Sequence, residues 1–307
     1  MNINLTILKH QSECLEKINK VFSNVYLKNI NNFSNPIFDT SDINLNINLK
    51  ELVQESNNSD TFGIDIKMET GTGKTYCYTK LMYELNKNYG FHKFIILVPS
   101  IAIKEGTKAF IESDYAKEHF KDTYHDKRIS LSILNSQNKK GKKTFPQAIS
   151  DYARGTNLEK NKISVLLMTS GMLQSKVTMD HDYDQTLFGI YSNPYDILKE
   201  TKPIVIIDEP HKLKKDNKAY IALIEKINPL CVIRFGATFP NIAKSNKKDY
   251  NNLIFNLTSC KAFNNNLVKG VATQMIEHES LNDTKIKLMD IKTKNPKSCI
   301  FRNEKNS

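Results

Sequence analysis

The chain has 307 residues, enough for one large domain or two modest ones with a sizeable core. Its 44 Lys+Arg against 33 Asp+Glu give a formal charge of +11, which favours a polyanionic partner over an acidic protein surface. Scattered cysteines without a CxxC pair argue against a disulfide framework or zinc site. A polar amino terminus and the lack of any long apolar run argue against secretion or a membrane span, so a cytoplasmic location without membrane contact is expected.

In chain order, the runs "FGIDIKM", "HKFIILV", "RISLSIL", "KISVLLM", "KPIVIID" and "LCVIRFG" read as strands. Near-continuous apolar runs are buried on both faces, and intervening helices such as Lys74 to Tyr89 imply parallel pairing. The expected fold is α/β, a doubly wound, mostly parallel sheet with helices on both faces. Polar stretches at Asn29 to Asp60, Ser136 to Lys162 and Asn241 to Asn252 read as surface loops or insertions.

"METGTGKT" follows the first of these strands and opens a helix. Gly71 and Gly73 permit backbone conformations closed to other residues, so that backbone N–H groups and the helix N-terminus converge on one anion. Thr70 and Thr72 complete the loop. Lys74 would reach the β- and γ-phosphates of ATP, and the Thr75 hydroxyl would ligate Mg²⁺. The general P-loop pattern has Gly where this chain has Met68.

"KPIVIIDEPHKL" delivers Asp208 and Glu209 at a strand's C-terminal end, where open α/β sheets place ligand chemistry. Two acids after a strand also suit a helix cap or a solvated turn. Following a P-loop, they read as a Walker B pair, with Asp208 for Mg²⁺ and Glu209 orienting the attacking water. "RFGATFP" ends the next strand; there Thr238 is expected to hydrogen-bond near His211, coupling nucleotide to nucleic acid, with a satisfied polar histidine as the other reading.

The ordered set "METGTGKT", "LVPSIAIKEG", "IIDEPHKL" and "GATFP" resembles superfamily two helicases and translocases, and looks most like the restriction (Res) subunit of type III restriction-modification enzymes. The similarity covers essentially the whole chain and implies a RecA-like domain. On that resemblance Pro99, Ser100 and Lys104 grip a DNA strand, as does the loop of Thr169 and Ser170 in "TSGML"; capping by Ser100 is the competing reading. "KHQSECL" is similar to the upstream glutamine element of these motors, so Gln11 either reads the adenine edge or is an exposed helix glutamine.

The expected organisation is an N-terminal helical and loop extension over 1–60, a first RecA-like domain over 61–245, and over 246–307 the start of a connection to a second motor domain. The resemblance places that domain, with its phosphate-facing arginines, and a nuclease domain further along than Ser307, so a truncated chain with slow ATP turnover is expected. Its parent would use ATP to switch or translocate on DNA and cleave it, with a modification (Mod methyltransferase) subunit as partner. The alternatives are another superfamily two motor acting on DNA or RNA, or a non-hydrolysing ATP-binding interaction fragment.

Overall fold

The structure, a computed structural model, describes residues 5–43, 61–125, 127–136, 144–158, 161–242, 246–268, 284–292 and 298–305. Parts of the three expected loops lie outside the described residues. The chain divides into two units, Met1–Val268 and Lys269–Ser307.

Each apolar run expected as a strand forms one: β1 Phe62–Lys67, β2 Lys93–Val98, β3 Arg128–Ile133, β4 Lys162–Thr169, β5 Ile204–Asp208 and β6 Cys231–Gly236. With β7, Leu253–Asn256, they make a seven-stranded parallel sheet in the order β3-β4-β2-β5-β6-β1-β7. The central runs are apolar at successive positions because both faces are covered. Phe94, Ile96 and Val98 of β2 enter one core with helices α1 Lys9–Val21, α2 Lys74–Tyr89, α3 Ile101–Glu112 and α4 Asp114–Tyr124. Ile95 and Leu97 enter the opposite core with α5 Gln147–Leu158, α6 Pro194–Glu200 and α7 Lys218–Ala222. The edge strand β3 carries Ser130 and Ser132 and is only partly buried, as an unpaired margin allows.

Three expectations about organisation change. The 1–60 region is no separate extension where it is described: Cys14, Leu15, Ile18 and Val21 recur at helical spacing along α1 and lie in the main core. Asn35, fully buried, donates to the carbonyls of Lys93 and Lys202 and accepts from the N–H groups of His92 and Lys93, tying its segment to the start of β2. The stretch Ser136 to Lys162 contains α5, whose Ile149, Tyr152 and Ala153 pack at i, i+3, i+4 spacing. The sheet does not end at 245, since β7 pairs with β1 and is followed by α8, Ser259–Asn264, so the first unit continues to Val268. β7 is four residues long between asparagines, too short for a periodic signal. The second unit holds an antiparallel pair, β8 Thr284–Lys292 and β9 Ser298–Lys305.

This strand order sorts the loops at the C-terminal edge. β1, β6 and β5 are consecutive neighbours, so "METGTGKT", "GATFP" and "DEPH" leave the sheet side by side. β2, β4 and β3 form the other half of the same edge.

Candidate nucleotide-binding site

The loop after β1 turns on Gly71 and Gly73, with φ of 84° and 83°, conformations that disfavour a side chain. Thr72 closes the turn, its N–H and hydroxyl both donating to the Glu69 carbonyl. α2 starts at Lys74 as expected, with Gly73 as its N-cap. Met68, where the general pattern has glycine, turns its side chain wholly into the core, so the departure serves packing beneath the loop. Thr70 and Gly71 are exposed, and Thr75 is half-buried at the first turn of α2.

Asp208 and Glu209 follow β5. The backbone of Glu209 adopts φ +57°, a left-handed conformation costing a non-glycine residue about 1–3 kcal/mol. Its N–H donates to the Phe235 carbonyl, which holds the turn. The carboxylate is thereby presented to Lys74, whose Nζ lies 3.0 Å from Glu209 Oε1. Asp208 is buried and its Oδ1 has no hydrogen-bond partner. Burial pushes the Asp208 carboxyl up to about 6, against the pull of Lys74 and with the help of the Glu209 charge.

The expected Thr238–His211 hydrogen bond is not formed. Thr238 is exposed, while His211 Nδ1 lies 3.4 Å from Glu209 Oε2 without hydrogen-bonding it. The two motifs meet instead by packing: a Cβ on Gly236 would lie 2.5 Å from Pro210 Cδ, so glycine in "GATFP" makes room for proline in "DEPH".

Gln11 is buried at the start of α1, and its amide is engaged by the chain itself. Oε1 accepts from Leu8 N–H at 2.9 Å, and Nε2 donates to the Thr72 carbonyl at 3.2 Å. Its neighbour His10, passed over in the sequence although it stands in "KHQ", reaches the same carbonyl through Nε2 at 2.9 Å.

The residues read as strand-gripping lie on the other half of the sheet edge. Val98 is in register with Thr169, so Pro99 and Ser100 emerge beside Thr169 and Ser170. Ser100 caps α3, accepting from Ile103 N–H. Lys104 is buried, with Nζ donating to Asn135 Oδ1 just past β3, a partner with no local motif to mark it. The site residues thus fall into two groups, one at β5-β6-β1 with α1 and one at β2-β4-β3.

The donor set fits Mg²⁺. A hard cation bound with phosphates needs only one carboxylate and a hydroxyl from the protein, and the unpartnered Asp208 Oδ1 with the Thr75 hydroxyl supplies those types. Among the described residues no cluster of three or more His, Cys, Asp or Glu could hold a metal by itself. Nor is any helix among them long and apolar enough to cross a membrane.

Residues 4–241 match the family model described as type III restriction enzyme, res subunit. The chain is 40% identical over 284 residues to the Res subunit of the type III restriction-modification enzyme StyLTI of Salmonella typhimurium, covering 88% of this chain and 27% of that one. It is 44% identical over 212 residues to the EcoPI Res subunit of Escherichia phage P1, covering 68% and 21%. Among solved structures, a nuclease-deletion mutant of the type ISP restriction-modification enzyme LlaGI with a DNA substrate mimic is similar at TM-score 0.46 and 14% identity, over 86% of this chain and 21% of that one. The chain spans about a quarter of the length of the curated relatives it matches. With its phosphate loop, acidic pair and parallel sheet in the order described, the chain belongs to the family of type III restriction enzyme Res subunits.

Proposed function

We propose that residues 1–268 form the MgATP-binding motor domain of a type III restriction enzyme. The observation that carries this reading is the meeting of Lys74 and Glu209 at 3.0 Å beside the unpartnered Asp208 carboxylate oxygen, just past the C-terminal ends of β1 and β5, which flank β6. Thr70 to Lys74 would cradle the phosphates with backbone N–H groups, and Lys74 would exchange Glu209 for the β- and γ-phosphates. Thr75 and Asp208 would hold Mg²⁺, which supplies neutralising charge at those phosphates. Glu209, freed from Lys74, would orient a water and accept its proton. His211 and Thr238 belong to the coupling between this site and a bound strand, through the Pro210–Gly236 contact.

Pro99, Ser100, Lys104, Thr169 and Ser170 would line a path for a DNA backbone, consistent with the net charge of +11. The whole enzyme would switch or translocate on DNA and cleave it in the cytoplasm, beside a modification subunit. Titration calorimetry tests the nucleotide reading. ATP should bind only with Mg²⁺, and Lys74→Ala and Asp208→Ala should each weaken it. Equal affinity in wild type and Lys74→Ala overturns the reading.

A further inference from the structure

We propose that His10 and Gln11 are positioning residues for the phosphate loop, and that Gln11 acts on a bound nucleotide through that loop and not by reading the adenine. The inference rests on residues 69–75 being an ATP phosphate cradle.

Two consecutive side chains of α1 converge on one carbonyl, that of Thr72, His10 Nε2 at 2.9 Å and Gln11 Nε2 at 3.2 Å. A carbonyl oxygen has two lone pairs, so this acceptor is filled from a single direction. The peptide joining Thr72 to Gly73 is planar and trans, which points its N–H opposite to its carbonyl. Holding the carbonyl toward α1 therefore aims the Gly73 N–H away from α1, along the direction a phosphate cradle requires.

Gln11 is pinned at its other end as well, because Oε1 accepts from the Leu8 N–H. Nε2 also donates to the Gly73 carbonyl at 3.5 Å, so turning the amide toward a base would break three contacts of a side chain that is 3% exposed. Gly73 records the same closeness: a Cβ there would lie 2.4 Å from Gln11 Nε2. Its missing side chain thus serves the left-handed turn and the seat of Gln11 together. A brace of this kind senses phosphates, whichever base they carry.

Calorimetry with Mg²⁺ and ATP, GTP or inorganic tripolyphosphate separates the two roles. His10→Ala and Gln11→Ala should each weaken all three by a common factor of about five- to tenfold, the loss of one net hydrogen bond. His10→Gln, which keeps a donor on a side chain of similar reach, should recover most of it. Gln11→Glu keeps the acceptor for Leu8 but sets a second acceptor against the Thr72 carbonyl, so it should reproduce the common loss even if Gln11→Ala folds poorly. Weakening of ATP alone in Gln11→Ala, or no change in any of the three, overturns the inference while leaving the phosphate reading intact. Wild type failing to bind all three would overturn that reading and this inference with it.

Discussion

Arg234 and Asp65 stand opposite each other in register on β6 and β1, joined by two hydrogen bonds of 2.7 Å with both side chains fully buried. Asn251 N–H adds a third bond to the same carboxylate, and Arg234 also donates to the Asp249 carbonyl. Lys215, just beyond "DEPH", reaches Asp249 and Asn251 at 2.6 Å each. One polar network therefore ties the strand feeding the phosphate loop to the strand feeding "GATFP" and to the loop after the acidic pair. Burial alone would lower the Arg234 guanidinium, but Asp65 more than offsets it and holds it charged.

Removing one partner strands a buried charge, whereas removing both takes away the buried charges and leaves only the Asn251 N–H and the Asp249 carbonyl without these partners. Arg234→Met should cost about 3–5 kcal/mol in urea denaturation, and Asp65→Leu with Arg234→Met should recover much of that loss. A double variant no more stable than the single one would refute this account.

Lys93 is a second buried basic group, at the start of β2, and among the described residues no acid pairs with it. Its Nζ donates to the carbonyls of Tyr152 and Ala153 in α5, and burial lowers the amine to about 7. The unfolded chain keeps its lysine protonated up to about 10.4, so between pH 7 and that value it binds more protons than the folded chain. Stability from this group should therefore rise with pH across that window, by up to about 1.4 kcal/mol per unit. Unfolding at pH 7 and pH 9 checks it: the gain on going to pH 9 should be smaller in Lys93→Met than in wild type.

Most of the sheet was legible because burial on both faces writes itself as unbroken apolar runs, as in "KPIVIID". α5 was not, since its Ile149, Tyr152 and Ala153 are diluted by the polar residues of one exposed face. Lys74, Asp208 and Glu209 could be placed because local strand–turn geometry puts them at an edge. The pairing of Asp65 with Arg234 could not, because it depends on which strands are neighbours across 169 residues of sequence. The role of Gln11 was obscured for a related reason, as the carbonyls that its Nε2 reaches lie 61 and 62 residues away on the glycine loop.

Duplex DNA should bind weakly, without sequence preference and with strong salt dependence, given the charge of +11 and the backbone-directed residue types at β2-β4-β3. Fluorescence anisotropy across a salt series measures the slope. Lys104→Ala should reduce it by about one, and Asn135→Ala, which removes the acceptor orienting Lys104, should weaken binding without changing it. Tight preference for one short sequence would contradict the prediction.

On the proposed reading, the Lys74–Glu209 contact sets ATP binding against readiness for hydrolysis. At 3.0 Å and largely out of solvent, the carboxylate occupies the ammonium that a phosphate must claim, so part of the binding energy goes to separating them. Glu209→Gln keeps the shape but removes the competing charge, and should tighten MgATP by about three- to tenfold, the scale of one net hydrogen bond. The same change removes the group that would accept a proton from water, so any phosphate release should fall as affinity rises. Turnover in residues 1–307 should be slow even in wild type. Arg234 is committed to Asp65, Arg154 lies over the Phe188 ring, and Arg128 starts β3 at the opposite end of the sheet from the site, so none of these can meet charge on the transferred phosphoryl group. Calorimetry and a phosphate-release assay on the same preparations decide the matter. Weaker ATP binding in Glu209→Gln would mean that the carboxylate supports the nucleotide and does not compete with it for Lys74.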